Sequence, residues 1–284
     1  MTATTGPHAA NVNIDLPLPC RVPGLPRPFD RTPRYSGQRS LWLRWTGTVL
    51  AVACALTLAA AALDGQWGAV RVARWIAAAA VVAACELAIL ARGLDRNRRT
   101  PEGPLLTTLG LPNALTLLRG LLVAGATGFV LVEPPAGALA WGPGGLYIAA
   151  VTLDAADGAA ARRLDRVTEL GAYLDVEFDS LALLAAALVG VAWGTLPPWY
   201  LLAGVARYAF VGGAKLRRRR GLPVHDLPES ARRRVLAVVQ MAVVGAALSP
   251  VLRPPATTVV ATVALVPLLA GFWLDWRTLR GVGR

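Results

Sequence analysis

Apolar residues in this chain come in long runs, without the strict alternation of a half-buried strand. Runs of about eighteen or more residues occur near 45–63, 70–91, 113–133, 141–158, 172–193, 197–214, 233–252 and 256–275, each long enough at ~1.5 Å per residue to cross a hydrocarbon core. A backbone in lipid must satisfy its own hydrogen bonds, and these runs lack the period-two pattern of a barrel strand, so each predicts a helix. The expected fold is all-α, a polytopic membrane helical bundle. Polar punctuation divides it: RGLDRNRRTPEGP, residues 92–104, is charged, then rich in Pro and Gly, and separates two leading runs from six trailing ones. We expect a disordered arm over 1–40, an accessory two-helix hairpin with its basic loop over 41–100, and a six-helix core domain over 101–284.

Composition agrees. With 284 residues, 55% hydrophobic and 16% charged, the chain is too apolar for a soluble domain and too long for a single anchor. Its net charge of +12 does not imply nucleic acid, which would require a basic face with stacking or groove-reading elements on a soluble fold. Topology explains the charge instead. Nearly all of the 29 Lys and Arg residues fall in the arm to Arg44, in Arg92–Arg99, in Arg162–Arg166, in Lys215–Arg234 and in the tail, while the alternate loops hold Arg71, Arg74 and Arg253. The positive-inside rule then puts both termini and the loop at 162–166 on the cytoplasmic side of a plasma (inner) membrane, with the basic loops against anionic head groups. The arm has no apolar core and no cleavage site of a signal peptide. Cys20, Cys54 and Cys85 stand far apart with no metal-ligand spacing and are expected to be structural, and His225 has no second ligand near it.

Against this background the acids of DAADGAAARRLDRVTELGAYLDVEFD stand out. Asp154 and Asp157 lie one helical turn apart near the end of the fourth run, and Asp175 and Asp179 one turn apart near the start of the fifth. Two helices joined by a short basic loop can present all four to one another. Carboxylates gathered at low dielectric repel, so the arrangement calls for protonation or for cations between them. Hard oxygen donors without sulfur or imidazole select Mg²⁺ or Mn²⁺, and two such ions can clamp a diphosphate during an in-line displacement. Gly158, Ala161 and Gly171 leave the backbone beside the acids uncovered, and Arg162 can pair with a phosphate oxygen. Small residues also pack membrane helices, so that reading stands beside the functional one.

Asp154-x-x-Asp157-Gly158-x-x-Ala161-Arg162, eight residues, then Gly171-x-x-x-Asp175-x-x-x-Asp179 resembles the signature of the CDP-alcohol phosphotransferase (CDP-alcohol phosphatidyltransferase) family. PNALTLLRG, Pro112 to Gly120, is similar to the start of that family's core. The resemblance covers about 105–275 and implies a chemistry that spacing alone does not show: attack of an alcohol hydroxyl on a CDP-linked lipid, forming a phosphodiester and releasing CMP. It implies that Asp154, Asp157, Asp175 and Asp179 hold the metals, that Asp179 is the catalytic base, and that Asn113 and Thr116 frame the nucleotide together with Gly158, Ala161, Arg162 and Gly171. It also implies a homodimer.

Asn113 reads equally as a helix N-cap. Arg119 and Arg207 lie within apolar runs, where they suit an acceptor phosphate or snorkel to the head groups, and Arg234 is a third candidate for the acceptor. An acceptor such as glycerol 3-phosphate or inositol phosphate fits that positive charge. Three rival classes were weighed. A transporter would place its acids at the midplane of broken helices. A Mg²⁺-dependent prenyltransferase would resemble two copies of N-D-x-x-D-x-x-x-D, which this chain lacks. An inactive scaffold would have been free to lose an aspartate.

Overall fold

A computed structural model describes residues 32–164, 168–228 and 230–282, with only the backbone described for 32–36 and 156–164. Among these residues there are eight α-helices and no strand: α1 Thr32–Trp67, α2 Ala69–Gly93, α3 Gly110–Thr127, α4 Gly142–Leu164, α5 Glu169–Ala192, α6 Leu201–Arg219, α7 Ala231–Ala247 and α8 Ala256–Leu279. The chain is therefore an all-α bundle of the kind the apolar runs predict. Four stretches, Gly37–Trp67, Ala69–Arg96, Gly110–Leu131 and Ala256–Leu279, are long and apolar enough to cross a membrane on length and hydropathy alone. The helices that fall short include α5, with Asp175, Glu177 and Asp179, and α6, which ends in a run of arginines.

Helix α1 begins at Thr32, inside the stretch expected to be a disordered arm. Docking accounts for the extra turns, because the Ser40 hydroxyl and the Arg44 Nε both donate to the Thr107 carbonyl, at 3.1 and 2.8 Å. The rest of that stretch, with Cys20, lies outside the described residues. Cys54 and Cys85 are free.

Helix α5 runs through the middle of the bundle and touches α2, α3, α6 and α7. Lipid tails are as apolar as leucine, so apolar burial alone drives little helix association in a bilayer; close packing and polar ties matter more. The ties here are specific. The buried Trp75 indole of α2 donates to the Gly125 carbonyl of α3 at 3.1 Å. The Tyr200 hydroxyl, just before α6, donates to Gln240 Oε1 of α7 at 2.7 Å, and Gln240 Nε2 donates to the Ala264 carbonyl of α8 at 2.8 Å. Gln240 is wholly buried, so this chain of bonds satisfies groups that have no water to turn to.

The segment between hairpin and core is equally bound. Asn97 Nδ2 donates to the carbonyls of Leu106 and Thr108, both at 2.9 Å, which folds 97–108 into a closed loop ahead of α3. The Arg98 carbonyl accepts from the Glu169 amide at 3.0 Å, and the Arg96 guanidinium stacks 4.4 Å above the Tyr173 ring. The hairpin loop thus holds the first turns of α5.

Candidate active site at the ends of α3, α4 and α5

The start of α5 is fixed by its cap: the Thr168 hydroxyl accepts from the Gly171 amide at 3.0 Å and satisfies one of the free donors of the first turn. From that fixed start Asp175 and Asp179 fall one turn apart on the face toward α3 and α4. Carboxylate oxygens of Asp154, Asp175 and Asp179 lie within 4.8 Å of one another, a spacing and a donor set that suit a hard divalent cation. The three side chains are 28%, 53% and 37% exposed, so the cluster opens outward.

Arg119 of α3 reaches into this cluster from below. Its Nη1 lies 3.0 Å from Asp175 Oδ1 and 3.5 Å from Asp179 Oδ1, and it pairs with Asp154 as well. Its side chain is 6% exposed. It therefore does not snorkel: three carboxylates hold the guanidinium inside the bundle more strongly than the head groups draw it out.

Asp157, Gly158, Ala161 and Arg162 continue α4, with Asp157 one turn beyond Asp154, but their side chains lie outside the described residues. Asn113 is not the N-cap of α3. The helix starts at Gly110, and Asn113 Nδ2 donates back to the Leu109 carbonyl at 2.5 Å. Its Oδ1 is buried without a partner and faces Gly171, where an added Cβ would sit 3.2 Å from it. Glycine at 171 thus lets α5 pack closely against that unused acceptor on α3. Thr116, also buried, donates to the Pro112 carbonyl at 3.2 Å.

Beyond Asp179 a cavity of about 260 Å³ runs between α5, α6, α7 and α8. Asp179, Ser180, Arg207, Arg233, Gln240 and Asp275 supply its polar lining, and Leu183, Leu236, Leu268 and Phe272 its apolar walls. Arg207 Nη2 lies 3.7 Å from Glu177, and Asp275 pairs with Arg232 at 2.7 Å and Arg233 at 3.9 Å. Arg234 is exposed and does not line this cavity; its neighbour Arg233 does.

Arg233, Asp275 and Tyr147 were not singled out from the sequence. Tyr147 is buried, its hydroxyl has no partner, and it lines a small cleft with Arg119, Asp154 and Asp179. A tyrosine seven residues before Asp154 lies two turns down the same helical face, which is the signal that would have found it.

The profile of the CDP-alcohol phosphatidyltransferase family matches residues 109–274. Proteins of Mycobacterium bovis and Mycobacterium tuberculosis, each described as a candidate cardiolipin synthase, are 35% identical over 113 residues, 39% of this chain and 52% of theirs. The CDP-diacylglycerol–glycerol-3-phosphate 3-phosphatidyltransferase of Bacillus subtilis is 37% identical over 71 residues, 25% of this chain and 37% of its own. The chain thus spans about half the length of the mycobacterial relatives it matches, and less of the Bacillus one.

Proposed function

Because this chain belongs to the CDP-alcohol phosphatidyltransferase family, we propose that it moves a phosphatidyl group from a CDP-linked lipid such as CDP-diacylglycerol to the hydroxyl of an alcohol that also carries a phosphate. The observation that carries this reading is Asp179. It belongs both to the carboxylate cluster and to the wall of the arginine-lined cavity. A base at that junction can touch an acceptor seated in the cavity while the donor lies over the cluster.

The acceptor oxygen attacks the lipid-bearing phosphorus, its proton passes to the Asp179 carboxylate, and the bond from that phosphorus to the bridging oxygen breaks. CMP departs with the electron pair. Asp154, Asp175 and Asp179, with Asp157 beside them in the chain, would hold Mg²⁺ or Mn²⁺, two ions in our reading, which when bound neutralise the donor diphosphate and the departing CMP. Arg207 and Arg233 orient the acceptor by its phosphate, each turning from the weak pairing at 3.7 or 3.9 Å that now steadies it. The unpartnered Asn113 Oδ1 beside Gly171 suits an N–H donor such as a cytosine amine, with Thr116, Gly158, Ala161 and Arg162 completing the nucleotide site. Arg234, exposed, is the weakest of the acceptor candidates.

Two kinds of acceptor meet these terms. Glycerol 3-phosphate or inositol phosphate offers a free phosphate to the two arginines. Phosphatidylglycerol offers a phosphodiester with acyl chains, and the apolar walls Leu183, Leu236, Leu268 and Phe272 favour it as the second reading. In both, the acids open to the cytoplasm, and the protein works as a homodimer in the plasma membrane with its basic loops on anionic lipid. CMP release by the purified protein in nanodiscs, with CDP-diacylglycerol, Mg²⁺ or Mn²⁺ and each acceptor in turn, tests the proposal. Release with a phosphate-bearing acceptor is expected; release only with serine or free inositol refutes the acceptor assignment, and no release with any acceptor refutes the reaction.

A further inference from the structure

Glu86 is a buried acid that the transfer chemistry does not use. It stands on α2, in the hairpin outside the family match at 109–274, and it is only 6% exposed. Its carboxylate rests on bare backbone of α3, since a Cβ added to Gly120 would lie 2.8 Å from Glu86 Oε2 and 2.9 Å from its Cδ. The same added atom would lie 2.9 Å from Phe178. Glu86 therefore packs on the α3 residue next to Arg119, and Phe178, the residue before Asp179 on α5, packs on the same glycine. Among the described residues no basic group pairs with it. A carboxylate held inside a membrane bundle is costly unless it is paired or used.

Arg119 supplies the other half of the argument. Its guanidinium lies among the oxygens of Asp154, Asp175 and Asp179, the donors that suit a divalent cation. Cation and guanidinium repel, so they compete for those oxygens. Once displaced, the arginine needs another anion, because an unpaired charge in the bundle is costly. Among the described residues the buried acid is Glu86, packed on Gly120 beside it in the chain.

We propose that Glu86 is a positioning residue for Arg119: it is the second carboxylate to which the guanidinium turns when a divalent cation takes Asp154, Asp175 and Asp179, and so it sets how tightly that cation binds. This role rests on the reading of the three aspartates as cation ligands. It makes the hairpin a contributor to the site, through one side chain, across the α2–α3 contact that Gly120 keeps close.

The test is Mn²⁺ titration by calorimetry of the full chain in nanodiscs, without donor or acceptor, for the unsubstituted protein, Glu86→Gln, Arg119→Gln and the double variant. Glu86→Gln is expected to weaken Mn²⁺ binding about tenfold, within the range of coupled sites. In the Arg119→Gln background the same change should move it less than about twofold, the scatter of uncoupled substitutions. Equal shifts in the two backgrounds would mean that Glu86 acts only through its field or its packing, and would overturn the proposal. If the unsubstituted chain binds no Mn²⁺, the reading of the aspartates fails and this role with it. Should Glu86→Gln not assemble, Glu86→Asp, which keeps the charge but withdraws it by a methylene, is titrated in both backgrounds, with equal shifts again overturning the proposal.

Discussion

Replacing Arg119 by glutamine removes the cation that contacts Asp154, Asp175 and Asp179 together. The cost follows from the spacing. At 4.8 Å two carboxylates repel by about 3.5 kcal/mol at an effective dielectric of ~20 and about 0.9 kcal/mol at ~80. The side chains are 28%, 53% and 37% exposed, so each of the three pairs falls between those limits. Screening and partial protonation then cap the loss, and we expect Arg119→Gln to destabilise the protein by about 2–4 kcal/mol in EDTA. Thermal unfolding in nanodiscs measures it as a Tm lowered by about 5 °C or more. Adding Mn²⁺ should raise the Tm of the variant further than that of the unsubstituted protein, since binding no longer has to displace a guanidinium. Equal melting points in EDTA, or equal Mn²⁺ shifts, would refute the idea that the arginine and a cation compete for one set of oxygens.

Other consequences are as direct. Asp179→Asn should lower the rate of CMP release by about 10²–10⁴-fold, the span for loss of a general base, while CDP-lipid binding measured by calorimetry persists. Arg207→Ala and Arg233→Ala should each raise KM for a phosphate-bearing acceptor about tenfold or more and leave donor KM unchanged, as expected for a lost hydrogen bond to a charged group; equal effects on both substrates would remove these arginines from the acceptor site. Gln240→Leu removes the side-chain bonds to the Tyr200 hydroxyl and the Ala264 carbonyl, leaving Tyr200 a 3.4 Å contact with the carbonyl of residue 240, and should cost about 1–3 kcal/mol in thermal or denaturant unfolding. Gly120→Ala forces an atom to within 2.9 Å of Phe178 and should cost a similar ~1–3 kcal/mol by overpacking.

The helices were legible because lipid imposes one rule on every spanning segment, and the apolar runs obey it. The meeting of Asp154 with Asp175 and Asp179 was legible too, since three- and four-residue spacings put acids on one face and a short loop turns the two helices together. The helix-end mouth of the arginine-lined cavity was not. In RRR at 232–234 each residue turns about 100° from the last, and the apolar run that follows does not fix which one faces inward. The structure turns Arg233 to the cavity and leaves Arg234 exposed. Asp275 sits some forty residues away on another helix, and only the α7–α8 packing brings it to Arg232 and Arg233. Glu86 is hidden from the sequence for the same reason: it packs on Gly120 of α3, and no periodicity within α2 points there.

The tie from the Arg98 carbonyl to the Glu169 amide carries a consequence for anyone who cuts or exchanges the front of this protein. A fragment trimmed to the family match at 109–274 would open the helix that bears Asp175 and Asp179 with a bare amide in its first turn, and with Tyr173 stripped of the arginine stacked on it. A hairpin grafted from a relative would restore the span but not that handhold, unless it carried an arginine and an asparagine in the places of Arg96 and Asn97 and brought the backbone carbonyl of residue 98 to the same point. The smallest piece that keeps its own chemistry in register therefore begins upstream of the family boundary, at the hairpin.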